Sequence, residues 1–174
     1  YSGASDEIAA QLRQFGDRYL GYDFGERFSM SVTHKDALSS KPPAEITLKD
    51  LADNLMQKVN GHVAERKAKG WGPVMATSSD FYLDYEIAAG TDIPVCEDYA
   101  FRHLLVSSAL SRGLYRQYDL PLWGAHLAHE WYSWIPHTNP LKMPLFRAGL
   151  YLKYLSGAKL VINESGNWAL QSSL

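Results

Sequence analysis

Short apolar segments alternate with amphipathic helical stretches along most of this chain, and this alternation constrains the fold more than any other feature. Five of the segments are typical of strands, at 19–21, 73–77, 93–96, 121–128 and 160–162. A helical stretch follows each of the first four, so successive strands are expected to be parallel and joined by right-handed crossovers. The sequence therefore predicts an α/β fold whose helices pack outside a parallel sheet.

The predicted helices begin and end at recognisable residues. Thr47 is suited to cap a long helix that runs from Leu48 to about Lys69, and Gly70 is suited to end it. This helix carries an apolar stripe with helical spacing, which predicts one buried face. Further helices are expected at 5–15, 81–89, 100–118 and 145–155.

Two architectures fit this alternation, a doubly wound open sheet and a parallel (β/α) barrel. No glycine-rich phosphate loop follows any strand, which disfavours a nucleotide-binding sheet. An acidic or polar cluster instead follows every strand, at the end where barrels carry their active sites. We therefore expect the C-terminal five strands of a TIM-type (β/α)8 barrel. Residues 1–174 would be a single barrel segment of a larger catalytic domain, and another segment or subunit would complete the barrel.

The composition of the chain limits the kinds of partner and cofactor that we expect. The net charge of −2 gives no reason to expect nucleic acid, and no apolar run approaches the roughly 18 residues of a membrane span. The only cysteine, Cys96, excludes an intrachain disulfide and leaves the compartment undetermined. A cysteine at a strand end is more often a small buried residue than a catalytic nucleophile. No motif for a cofactor is present, so none is expected.

Two strand ends offer candidate catalytic acids with a polar neighbour. Glu26 lies in the segment GYDFGE with Asp23 close by, and Glu164 lies in VINESG beside Asn163. A carboxylic acid near aromatic residues can act as a general acid when its pKa is raised. Glu26 and Glu164 are therefore candidate catalytic residues, although an ordinary loop acid or helix cap would look the same. Asp23 and Asn163 are candidate substrate-binding residues.

The densest group of such residues is the segment AHLAHEWYSW. Its acid, Glu130, is a third candidate catalytic residue, and strand alternation would place Glu130 on the same face as His126. Aromatic rings stack on sugars while acids bind hydroxyl groups, so the segment is suited to a sugar subsite. The candidate substrate-binding residues here are His126, His129, Trp131, Tyr132 and Trp134.

The third strand ends in Glu97 and Asp98, which are further candidates for binding substrate. Alternation along a strand predicts that one of the two points inward. A structural tie to a neighbouring backbone amide or to Arg102 is the alternative to a functional role. No metal site is expected, because the histidines around Glu130 lack the spacing of known zinc motifs.

This succession of strand-end acids resembles the (β/α)8 glycoside hydrolases, especially the retaining enzymes of clan A. That family carries its acid/base glutamate after strand four and its nucleophile after strand seven. The resemblance implies that Glu26 is the acid/base and Glu130 the nucleophile, with Glu164 ending strand eight. Gly25 stands where the family usually has asparagine. A shifted register would instead make Glu164 the nucleophile and put Asp80 at strand four.

The favoured hypothesis is thus a glycoside hydrolase that degrades a polysaccharide or oligosaccharide with paired carboxylates. Retaining enzymes hold these groups about 5–5.5 Å apart, and inverting enzymes about 6.5–9.5 Å apart. The alternatives are a non-catalytic glycan-binding or structural barrel, and another barrel enzyme such as a metal-dependent hydrolase or an aldolase. A secreted or periplasmic location is one expectation for a protein that acts on carbohydrate.

Overall fold

The structure is a computed structural model that describes residues 6–29, 41–78, 82–98, 103–128 and 139–163. Its helices are α1 (Asp6–Arg13), α2 (Leu48–Ala68), α3 (Leu83–Ala88), α4 (Leu104–Gln117) and α5 (Lys142–Leu155). Its strands are β1 (Tyr22–Asp23), β2 (Val74–Ser78), β3 (Ile93–Asp98), β4 (Gly124–Leu127) and β5 (Leu160–Asn163). Short 3-10 turns lie at Gly16–Arg18 and Pro43–Glu45.

The strands form one sheet in the order β1-β2-β3-β4-β5, which is also their order in the chain. The registers of β1 with β2, β3 with β4 and β4 with β5 are all parallel. A doubly wound sheet reverses its strand order at a switch point, and these five strands have no such reversal. The predicted α/β class with parallel strands is therefore confirmed, and the order agrees with part of a barrel. A TIM-type barrel in particular stays a prediction.

By its internal contacts the chain divides into two compact units. The first consists of Tyr1–Ala76 and Asp84–Asp92, and the second of Thr77–Leu83 and Ile93–Leu174.

In the first unit, α2 begins as the sequence predicts. The Thr47 hydroxyl accepts a hydrogen bond from the Asp50 N–H (3.2 Å), and the Asp50 carboxylate accepts one from the Thr47 N–H (2.9 Å). This capping box satisfies two backbone donors that a helix start would leave unpaired. The helix ends as expected before Gly70, whose φ of +75° suits glycine.

A carboxylate holds the start of β2 in the first unit. Asp92 Oδ2 accepts a hydrogen bond from the Val74 N–H (2.8 Å), and the Asp92 N–H donates to the Val74 carbonyl (2.8 Å). The other oxygen, Oδ1, lies 2.6 Å from Lys67 Nζ on α2. One side chain thus fixes the end of α2 to the strand that follows it.

The predicted position of the first strand, 19–21, is wrong, because the strand begins three residues later, at Tyr22. Tyr19 ends the preceding 3-10 turn, with its N–H bonded to the Gly16 carbonyl (3.0 Å). Gly21 has a φ of +138°, outside the range of a strand. Pairing therefore starts only at Tyr22, whose N–H donates to the Pro73 carbonyl (2.8 Å).

In the second unit, every residue of β3 and β4 is buried, as is usual for parallel strands covered on both faces. β5 alternates between half-buried and exposed residues. α5 begins at Lys142, three residues before the predicted start, because a proline at position 144 is tolerated in the first turn of a helix. Within the described ranges, no helix has the length and apolarity needed to cross a membrane.

Candidate functional site

Strand alternation separates the two acids at the end of β3. Asp98 faces helices α4 and α5, where the Ser107 hydroxyl donates a hydrogen bond to Asp98 Oδ1. Cys96 is on this same face, and its N–H donates to Ser111 Oγ on α4 (3.3 Å). Glu97 lies between them in the strand and therefore belongs to the opposite face, away from these helices.

Glu97 has a histidine beside it on the next strand. The register pairs Glu97 with His126 of β4, so the two side chains project from the same face of neighbouring strands. Strands in a sheet lie about 4.8 Å apart, which puts the carboxylate and the imidazole within reach of one another. Both residues are buried, with exposed fractions of 5% and 7%. The sheet thus brings together two of the predicted substrate-binding residues.

Asp98 is engaged in a buried polar cluster instead. Lys153 Nζ of α5 lies 2.6 Å from Asp98 Oδ2, and both side chains are almost completely inaccessible. The same ammonium donates to Ser107 Oγ (2.7 Å), Ser108 Oγ (2.9 Å) and the Leu104 carbonyl (3.0 Å). These oxygens occupy all the donor capacity of Lys153. The cluster ties α4 and α5 to the end of β3.

Burial opposes the charged form of both partners in this cluster. Desolvation raises the pKa of Asp98, while the attraction of Lys153 and the Ser107 hydrogen bond act against that rise. Desolvation likewise lowers the pKa of Lys153, against the attraction of Asp98. Such a pair is costly to break, because the remaining charge would be buried alone. Asp98 therefore has a role in packing the helices, and its role in binding substrate stays a prediction.

Asn163 lies on the helix-bearing face as well. Its register partner is Leu127, which in turn pairs with Asp98, so the three residues share one face. Asn163 is exposed at the edge of the described sheet. The structure therefore does not bring Asn163 to the same face as Glu97 and His126.

Two predicted residues lie in the first unit. Asp23 is exposed in β1, and its Oδ1 accepts a hydrogen bond from the Gly25 N–H (2.8 Å), which forms a local turn. Glu26 is exposed in that turn, and its carbonyl accepts a hydrogen bond from Ser29 Oγ (3.0 Å). Neither contact opposes or supports a catalytic role.

The remaining candidates lie outside the described residues. They are His129, Glu130, Trp131, Tyr132, Trp134 and Glu164, together with Asp80 of the alternative register. The pairing of Glu26 with Glu130 therefore stays a prediction.

Sequence reasoning missed a group of buried polar residues in the first unit. His62 and Arg66 lie one turn apart on the buried face of α2, and Trp71 follows the helix. Tyr22 packs against this group from β1. The signal was available, because His62 and Arg66 continue at helical spacing the apolar stripe that includes Val59.

No cluster of three or more metal-binding side chains is found in the part of the chain that the structure describes. No protein-family model matches the chain. No curated protein is significantly similar to it, and the same holds for solved structures. Fold and site together define the class as an α/β protein with sequentially ordered parallel strands and a buried acid–histidine pair at their carboxyl ends.

Proposed function

We propose that this protein is a glycoside hydrolase acting on a polysaccharide or oligosaccharide, with Glu97 and His126 in its substrate site. The observation that carries the proposal is their position as buried register partners on the sheet face turned away from α4 and α5. A buried carboxylate lowers the stability of the fold unless partner groups stabilise it. Buried ionisable residues of this kind are concentrated at functional sites. In a barrel, the sheet face turned away from the helices lines the interior, and the active site lies at the carboxyl ends of the strands.

The chemistry of the pair suits a sugar substrate. A carboxylate accepts hydrogen bonds from two hydroxyl groups, and a neighbouring imidazole can donate or accept one. Glycosidic cleavage also needs two carboxyl groups, of which one protonates the departing oxygen. The other attacks the anomeric carbon or activates water. From the sequence, Glu130 is the nearest further carboxylate, four residues beyond His126.

The test compares two variants of the intact protein with a matched control. Glu97→Gln and Glu130→Gln keep the shape of each side chain and remove its charge. The control is Glu65→Gln, an exposed acid on α2. Turnover is measured as release of reducing ends from a panel of polysaccharides and aryl glycosides, and folding is checked by thermal unfolding.

We expect Glu130→Gln to reduce turnover by several orders of magnitude, because an amide can neither attack the anomeric carbon nor stabilise the oxocarbenium-like transition state as an anion can. Glu97→Gln should raise KM more than it lowers kcat if Glu97 binds substrate, and Glu65→Gln should match the wild type. Binding of glycan by a wild-type protein that hydrolyses none of the panel would favour a non-catalytic binding domain. Unchanged kinetics in both site variants would refute the assigned residues.

A further inference from the structure

Three buried side chains in the first unit have nitrogen atoms without a hydrogen-bond partner in the described structure. They are His62 Nε2, Arg66 Nε and Trp71 Nε1. The exposed fractions of these residues are 9%, 7% and 3%. Each unsatisfied buried donor costs about 1–3 kcal/mol. The Arg66 Nε–H and the Trp71 Nε1–H are donors in every state of these side chains, so they call for a ligand that supplies acceptors.

The Tyr22 ring brings these residues into one cluster, in which the Tyr22 and Trp71 rings are nearly perpendicular. Its centroid lies 5.3 Å from the Trp71 ring and 5.8 Å from the His62 ring. The guanidinium carbon of Arg66 lies 5.3 Å from the Tyr22 and Trp71 centroids alike. Phe24 and Phe28 contact the His62 ring at 5.5 and 5.2 Å and provide an apolar boundary.

The cluster carries the positive charge of Arg66, and Glu65, an exposed carboxylate that attracts Arg66 at longer range, is bonded to Lys69. Among the residues that the structure describes, every ion pair uses a lysine, and Arg66 has no carboxylate within 4.0 Å. Stacking on aromatic rings stabilises a cation only in part, and buried charges in proteins are usually paired. Burial lowers the pKa of His62, and Arg66 and Arg27 lower it further. The cluster thus holds one lasting cation, Arg66, and two N–H donors that lack an acceptor among the described residues.

We propose that the cluster formed by His62, Arg66, Trp71 and Tyr22 binds a small carboxylate. A carboxylate has only acceptor atoms, so its oxygens can receive the Arg66 Nε–H and the Trp71 Nε1–H together. It also supplies the counter-charge that Arg66 lacks. Because the three side chains are deeply buried, the test uses formate, the smallest carboxylate.

The test measures thermal unfolding of the intact protein in sodium formate against sodium chloride at equal ionic strength. A ligand that binds only the folded state raises Tm in proportion to the logarithm of its concentration above Kd. The His62 ring is followed by NMR in the same titration. We expect a formate-specific rise in Tm and a rise in the titration midpoint of His62, because a bound anion favours the imidazolium.

Two variants and a control make the result specific. Trp71→Phe keeps an aromatic ring and removes the N–H, and should weaken formate binding at least about tenfold. Arg66→Gln should abolish the formate effect. Arg13→Gln, which changes an exposed arginine bonded to the Lys69 carbonyl, should leave it unchanged. Equal effects of formate and chloride on the wild type would overturn the proposal. An undiminished formate effect in Trp71→Phe would also overturn it, whether or not Arg66→Gln folds.

Discussion

Lys153 of α5 lies 2.6 Å from Asp98 at the end of β3, in an ion pair that solvent does not reach. Because Asp98 is committed to the helices, its neighbour Glu97 is the acid that the strand presents on the other face. Of the two adjacent carboxylates, Asp98 is thus held in the ion pair, and Glu97 is the one that lies on the face of the proposed substrate site.

The first prediction concerns this pair. Lys153→Met should destabilise the protein by about 3–5 kcal/mol, because it leaves the Asp98 carboxylate buried without its cation. The double variant Asp98→Leu/Lys153→Met should be less destabilised than the sum of the single changes. Ser108 keeps its hydrogen bond to the Leu104 carbonyl in either case, and in the double variant the Ser107 hydroxyl, which no longer donates to Asp98, can donate to the carbonyl of His103 or Leu104. Urea unfolding of all four proteins gives the coupling energy, and additive effects would contradict the role of the pair.

The second prediction concerns the start of α2. Thr47→Ala removes the hydroxyl that accepts the Asp50 N–H and should cost about 1 kcal/mol of unfolding free energy. Thr47→Ser keeps the oxygen and is the matched control. Chemical denaturation compares the two variants, and equal loss in both would show that the methyl group, rather than the cap, matters.

The third prediction is a pH dependence set by His62. Its pKa in the folded protein lies below the ordinary value of 6.5, chiefly because of burial. The unfolded chain therefore binds the proton first as the pH falls, and stability decreases below about pH 6.5, by at most about 1.4 kcal/mol per pH unit. Glu65 opposes the shift and does not reverse it. Free energies of unfolding between pH 8 and 5 should show this slope, and His62→Phe should reduce it. A steeper slope in His62→Phe would contradict the assignment.

The fourth prediction concerns the approach of β1 to β2. A Cβ on Gly21 would lie 2.5 Å from the Pro73 carbonyl oxygen, which accepts the Tyr22 N–H. Gly21→Ala should therefore destabilise the protein by about 2–4 kcal/mol. Gly16 also has positive φ but has open space around it, so Gly16→Ala should cost only about 1–2 kcal/mol. Thermal unfolding of both variants tests the difference, and a reversed order would contradict the close approach.

The fifth prediction follows from the proposed hydrolase activity. If Glu130 is the nucleophile and Glu26 the acid, Glu130→Gln should abolish cleavage of every substrate. Glu26→Gln should retain activity on aryl glycosides whose leaving groups need little protonation. Steady-state kinetics on aryl and natural substrates separates the roles. Equal losses for Glu26→Gln on both substrate types would remove it from the acid role.

The sequence alone determined the class of the fold and the face that a strand residue belongs to. Hydrophobic periodicity located α2, and Thr47 marked its cap, because helix spacing and capping are local properties of the chain. The alternation of strands and helices predicted parallel pairing. Alternation likewise predicted that Glu97 and Asp98 would separate.

Tertiary structure decided what each polar residue contacts. Asp98 is paired with a lysine 55 positions away on α5, and no local pattern specifies such a contact. The same holds for Glu97 and His126, which meet only through the register of β3 and β4. The sequence places the polar residues His62 and Arg66 on the apolar stripe of α2. It does not show that both contact the Tyr22 ring, because Tyr22 lies on a different element, the strand β1. Periodicity depends on neighbours within a few residues, whereas charge pairing and burial depend on elements that the fold brings together from distant parts of the chain.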